Sequence, residues 1–326
     1  MTNKPSDRSS IETLVRLAGE RDAPSAEGAA RARAAAFAAW QQGLVAPSES
    51  PRSPTRRVAW WAAAAGVMAL ASGGAWYWSA SRPVIVARVA SVSGDATLSG
   101  AGVDTPLPDS TVLAGQSIDS RSGRVALAFG GLSLRIDRDT RLRLDSPDRV
   151  TLLAGNVYVD SGGVNASTAL SIATPAGNVS HIGTQFLVTV AGGVTRVQVR
   201  EGRVTLESGK TAHEVSAGER LEIEGARVQR LGAQVSHGVE WEWAAAIAPG
   251  FEVENRPLAE FLAWIAREHG WQLRYADGTE QSRAQSVRLH GSLEGLEANT
   301  MLDRVSMITG IPLALRDGTL IVGSAP

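Results

Sequence analysis

The chain has 326 residues, enough for two or three small domains with separate cores, and 44% of them are hydrophobic, so most of it is expected to fold. A formal net charge of −1 provides no basic surface for nucleic acid. Cysteine is absent, which removes disulfides, thiolate nucleophiles and cysteine-type zinc sites.

Residues 1–46 predict a short helical arm. Ser9 and Glu12 have capping-box spacing, and Ile11, Leu14, Val15 and Ala18 follow on one face before Gly19 closes the helix. A second helix is expected from Ser25 to Trp40, with Gly43 as its stop and Phe37, Trp40 and Leu44 on one face. So few apolar residues cannot build an independent core. The arm therefore reads as a partner-binding segment, with Leu14, Phe37 and Trp40 as its candidate contacts, or more plainly as a partly ordered tail. Residues 47–57, rich in proline and serine, form a linker.

The run Val58–Trp78 contains no charged residue. At about 1.5 Å per residue it spans roughly 30 Å as a helix, the depth of a bilayer's hydrocarbon core. Trp60 and Trp61 mark one end, and Trp76, Tyr77 and Trp78 the other, where amphipathic rings favour the headgroup region. Arg52, Arg56 and Arg57 precede the span and Arg82 and Arg88 follow it, which places the N-terminus inside. A buried core helix and a signal peptide cleaved near Ser79-Ala80-Ser81 compete with this reading. The long segment ahead of the run favours an uncleaved anchor.

From residue 84 to 235 the hydrophobic period becomes two. Val125, Leu127 and Phe129 alternate with small or polar residues, and Leu132, Leu134 and Ile136 resume after Gly130-Gly131, a hairpin signal. Further runs are Arg141–Leu144, Val150–Val159, Phe186–Val190, Val194–Val199 and Val204–Leu206, with Glu201-Gly202 expected to separate the last two as a second hairpin. Turn glycines are expected at Gly115, Gly123, Gly155, Gly177, Gly209 and Gly218. Many short strands of this kind argue for two packed antiparallel sheets or a solenoid-like stack, with one solvated face per sheet.

The stretch Val179-Ser180-His181-Ile182-Gly183-Thr184-Gln185-Phe186-Leu187-Val188 resembles the Gly-Thr-x-Phe core of the FecR-type regulator domain. Val197–Val204, containing Glu201-Gly202, and Val215–Leu221, containing Gly218, are similar to later family elements. Val150–Val159 is similar to an earlier one. Gly183-Thr184-x-Phe186 also has a structural reading: glycine permits a bulge, threonine bonds the local backbone, and phenylalanine returns to the core. Gly183, Thr184, Phe186, Glu201, Gly202 and Gly218 are therefore taken as structural residues.

Beyond a linker at 236–250, residues 251–323 read as a mixed module. Phe251–Val253 is expected as a strand. A helix is expected from Pro257 with Leu258, Phe261, Leu262, Ile265 and His269 at helical spacing, ended by Gly270. Strands follow at Trp271–Tyr275 and Val287–Leu293, a helix at Glu297–Thr309, and a hairpin of Leu313–Leu315 and Leu320–Val322 around Asp317-Gly318. This doubled βαβ pattern resembles the short N-terminal module shared by secretins and TonB-dependent transducers.

His181, His213, His237, His269 and His290 form no metal pattern, and no nucleophile elbow, phosphate loop or dinucleotide fingerprint occurs. No catalytic, metal or cofactor site is therefore expected. The fold class is mainly β with a C-terminal α+β module, one transmembrane helix and a short N-terminal helical arm. The FecR resemblance implies an inner-membrane protein with a cytoplasmic N-terminus and a periplasmic C-terminus. It further implies an extracytoplasmic-function sigma factor as partner of the arm, and the signalling domain of an outer-membrane TonB-dependent transducer as partner of the periplasmic part. An envelope protein-interaction scaffold without sigma-factor binding is the alternative.

Overall fold

The computed structural model of the protein describes residues 26–42, 84–100, 103–107, 111–162, 170–232, 234–293 and 295–323. The expected first helix, the linker 47–57 and the apolar run Val58–Trp78 lie outside these residues. Among the described residues no helix is long and apolar enough to cross a membrane. The chain divides into two compact units, Met1–Ala80 and Ser81–Pro326. In the first, α1 (Ala26–Gln42) forms where alanine dominates, the residue with the lowest entropic cost in a helix.

The second unit opens with short strands: β1 (Ile85–Ser93), β2 (Thr97–Gly100), β3 (Val103–Pro106), β4 (Thr111–Leu113) and β5 (Ser117–Asp119). The expected hairpin follows as β6 (Arg124–Phe129) and β7 (Leu132–Ile136), with Val125 opposite Ile136 and both turn glycines at positive φ. Next come β8 (Arg141–Ser146), β9 (Arg149–Asp160), β10 (Ser171–Thr174), β11 (Gly177–Ala191) and β12 (Val194–Ser208). The series ends with β13 (Thr211–Ser216), β14 (Arg220–Glu224) and β15 (Arg227–Leu231).

These strands do not form two separate antiparallel sheets. They make one hydrogen-bonded network of 15 strands, and β9 and β10 pair in parallel. Two layers arise because β9, β11 and β12 each bend and change partners halfway. The first half of β9 lies between β8 and β10, and its second half lies between β7 and β11. β11 pairs with β10 before its bend and with β9 after it, while β12 pairs with β14 before its bend and with β13 after it.

The bends fall at Gly155, Gly183 and Gly202, all with positive φ. Each shifts the inward parity by one residue: Val150 and Leu152 give way to Val157 and Val159, Val179 to Phe186 and Val188, and Val197 and Val199 to Val204 and Leu206. A bulge's extra residue keeps the apolar side inward on both layers. Glu201-Gly202 is therefore a bulge inside one 15-residue strand and not a hairpin turn. Gly155 likewise lies within β9 and not in a turn.

After β15 comes α2 (Val239–Ala245), in the segment expected to be a linker. The module then holds β16 (Arg256–Pro257), α3 (Leu258–His269), β17 (Gln272–Tyr275), α4 (Gly278–Ser286), β18 (Arg288–Leu289), α5 (Ala298–Thr309), β19 (Leu313–Arg316) and β20 (Thr319–Val322). Gly270 and Gly310 end α3 and α5 in the left-handed conformation, as expected. The β-α-β order occurs twice, but partners are exchanged: β16 pairs with β18, and β17 pairs in parallel with β20. Phe251–Val253 forms no strand, and its Phe251 ring packs on Phe261 and Trp264. α4 was not expected; Asp277 caps it by accepting from the N–H groups of Thr279 and Glu280.

A Cβ at Gly202 would sit 2.4 Å from the Gly183 carbonyl oxygen, whereas one at Gly209 meets nothing within 4 Å. Gly202→Ala should therefore cost about 3 kcal/mol or more in chemical denaturation, and Gly209→Ala only about 1 kcal/mol from its left-handed backbone. Equal losses would remove the corner from the argument.

Candidate functional site

Because the core claims the inward positions, the outward face of the second layer carries the alternate residues. Two rows run across its strands in register: Arg135, Tyr158, Leu187 and Gln198, and beside them Ser133, Asp160, Gln185 and Glu201. Alternation assigns this face to solvent. Instead most of it is buried, with Arg135 1% exposed and only Ser133 and Glu201 partly exposed, because α2 and the last turn of α3 cover it.

α2 brings Trp241 and Trp243 onto Tyr158 and Leu187. The Tyr158 and Trp241 rings meet edge to face at 6.1 Å, and the Trp241 indole N–H donates to the Val235 carbonyl at 3.1 Å. Arg135 donates through Nη1 to Glu268 Oε2 at 2.6 Å and through Nη2 to Oε1 at 3.0 Å, a bidentate pair, and also to the Ala244 carbonyl at 2.9 Å. Its guanidinium lies 5.0 Å from the Tyr158 ring centre. Arg267 donates to Asp160 at 2.5 Å and to Glu201, tying α3 to both sides of the bent strands. Gln185 Nε2 donates to Asp160 at 2.8 Å, and the Ser236 hydroxyl donates to the Gly270 carbonyl at 2.7 Å.

The electrostatics follow from burial and pairing. Burial opposes the Arg135 charge, but Glu268 outweighs it and holds the pKa above its ordinary value. Burial likewise pushes Asp160 up, yet the bond and charge of Arg267 bring it below the usual carboxylate range. Tyr158 is raised chiefly by burial. His269, stacked on Trp271 at 4.5 Å, is lowered to about 4 by burial and by the charges of Arg200 and Arg135. The Asp160 and Glu268 carboxylates are occupied by arginine and amide donors, so the face holds a docked element and offers them no open ligand position. Among the described residues no group of His, Asp and Glu could hold a metal ion.

The residues singled out in the sequence divide into several groups. Gly183 and Gly202 meet at the corner, where Gly202 leaves no room for a side chain beside Gly183 and Thr184. Thr184 does not bond the backbone through its hydroxyl; its N–H donates to Ser161 Oγ at 2.8 Å instead. Phe186 is fully buried in the core, and Gly218 turns between β13 and β14, its N–H donating to the Val199 carbonyl at 2.9 Å. Glu201 is more than a fold residue, since it accepts from Arg267. Phe37 is 58% exposed on α1, and Trp40 belongs to the same helix. Leu14, Trp60, Trp61, Trp76, Tyr77 and Trp78 lie outside the described residues. The docking residues Arg135, Tyr158, Arg200, Trp241 and Glu268 were not anticipated. Two tryptophans in a supposed linker were the available sign.

Glu268→Gln leaves Arg135 buried against a neutral amide and should weaken docking by up to about 3–5 kcal/mol, read as faster amide exchange in α2 and α3. His269 adds a pH dependence. Its folded pKa of about 4 lies below the ordinary 6.5, so docking is fully supported above pH 6.5 and loses support as pH falls towards 4. His269→Gln should flatten the acid loss of α3 protection over that window.

Residues 119–205 match the family model described as FecR protein, a span that runs from β5 into β12 and includes all three bends. Two crystal structures of a candidate anti-sigma factor from Parabacteroides distasonis ATCC 8503 are similar at 13% identity, covering 60% of this chain and 92% of that chain, with TM-scores of 0.30 and 0.29. No curated protein matches the chain.

Proposed function

We propose that the chain is a membrane-anchored, periplasmic signal-transducing regulator of an extracytoplasmic-function sigma factor, and that it works by binding and not by catalysis. The carrying observation is the FecR match over 119–205, in a chain whose uncharged run Val58–Trp78 precedes that region. On this reading Val58–Trp78 is the single membrane span, and residues 1–46 hold the sigma factor in the cytoplasm through a face that includes Leu14, Phe37 and Trp40. Phe37, 58% exposed on α1, belongs to this segment.

The region after the span would then lie in the periplasm, where the module 251–323 meets the signalling domain of a TonB-dependent transducer. Among the described residues its strands β17 and β19 each have an unpaired edge, which supports recognition by strand addition. A signal received there would reach the β region through the buried face on β7, β9, β11 and β12.

Deleting residues 9–42 should abolish co-purification of a sigma factor from membranes while leaving the chain membrane-bound. Unchanged capture would remove the sigma-factor reading and leave an envelope scaffold in its place.

A further inference from the structure

Arg200 is the residue that the β12 bulge leaves without a ladder partner, between Val199 opposite Phe186 and Glu201 opposite Gln185. It points onto the docking face and is 8% exposed. Nη1 donates to the Glu268 carbonyl at 3.1 Å and approaches the Tyr158 hydroxyl at 3.4 Å. The guanidinium lies 4.3 Å from the Trp241 ring centre and 5.6 Å from that of Tyr158. Nε and Nη2 are closed off from solvent with no hydrogen-bond partner among the described residues.

The contrast with Arg135 decides the reading. Three arginines and three carboxylates meet at this face, but Arg267 takes both Asp160 and Glu201, and Arg135 takes Glu268. Arg200 is left with a carbonyl, a hydroxyl and two ring faces. Burial lowers its pKa, with the neighbouring Arg135 charge adding to the effect, whereas Arg135 is raised. Gly270 and the Ser236 carbonyl close over the site: a Cβ at Gly270 would lie 2.7 Å from Arg200 Nε and 1.9 Å from Ser236 O. Both belong to the docked segment, so undocking is what would return Nε and Nη2 to water. Stacking on an aromatic ring recovers part of the desolvation cost of a cation, but it satisfies no N–H donor.

We propose that Arg200 is a built-in release element: the C-terminal segment is held down by Arg135–Glu268 and Arg267–Asp160 against a buried cation that favours undocking, which keeps the docked state reversible. Opening uncovers Arg135, Tyr158, Leu187 and Arg200 together, so one event frees the module and changes the charge of the β face. This does not depend on which partner the module meets.

The test is hydrogen exchange on the full-length chain, comparing wild type with Arg200→Met, which keeps a long side chain over Trp241 and removes the charge. Amides of α2 and α3 should exchange about tenfold or more slowly in the variant, the effect of relieving a buried unmet donor, with β6 and β7 unchanged. Arg200→Leu should move them the same way. Exchange of α2 and α3 equal to or faster than wild type would overturn the proposal. So would loss of protection in β6 and β7, because Arg200 would then be a net stabiliser of the fold.

Discussion

Three neighbouring strands must bend at one level without exposing their apolar side, and most of the second unit follows from that constraint. An extended strand presents alternate residues to opposite faces, so a fold into two layers would turn the core side outward on one of them unless a residue is inserted at the bend. β9, β11 and β12 each make the insertion beside a glycine with positive φ, at Gly155, Gly183 and Gly202. The bends cannot be adjusted singly, since the place of a Gly202 side chain is already filled by Gly183 and Thr184. The same insertions send Asp160, Gln185 and Glu201 outward in one row and leave Arg200 without a ladder partner. The corner that closes the core therefore also builds the polar bench on which the C-terminal segment sits.

That bench is an expensive way to make a contact. A buried ion pair rarely gains on a hydrophobic patch of the same size, because the desolvation of two charges consumes the attraction between them. What it supplies is geometry. Arg135 accepts one arrangement of Glu268, and Arg267 bridges Asp160 and Glu201 from one position. The apolar share of the contact, Trp241 and Trp243 on Tyr158 and Leu187, provides area with little orientation. Area holds α2 near the sheet, and the charges set where α3 stops.

Much of this architecture was legible in the sequence, and the exceptions have physical causes. The β6–β7 hairpin and helices α3 and α5 were readable because alternation or helical spacing ran uninterrupted to a glycine stop. Glu201-Gly202 was misread because a bulge and a turn leave the same trace, a parity change with a glycine. α4 was missed because its sequence, GTEQSRAQS, is polar all round and buries only Ala284; its sole sign was the Asp277 cap. The docking face was hidden for a deeper reason. Arg135, Tyr158 and Arg200 occupy positions that alternation assigns to water, and only the fold reveals that the segment 236–270 covers them.

The end of α3 shows how closely docking and local structure are linked. Arg267 suits the C-terminal turn of a helix, where the partial charge is negative, but Glu268 beside it does not. In isolation that turn would carry an unfavourable carboxylate, although Gly270 closes it in the left-handed conformation. Arg135 neutralises the carboxylate, and Ser236 donates to the Gly270 carbonyl, so groups outside the helix add to its own cap. The last turn of α3 is therefore more stable docked than free. Undocking removes both outside contacts from that turn, so separation of the segment and loosening of the helix end are coupled.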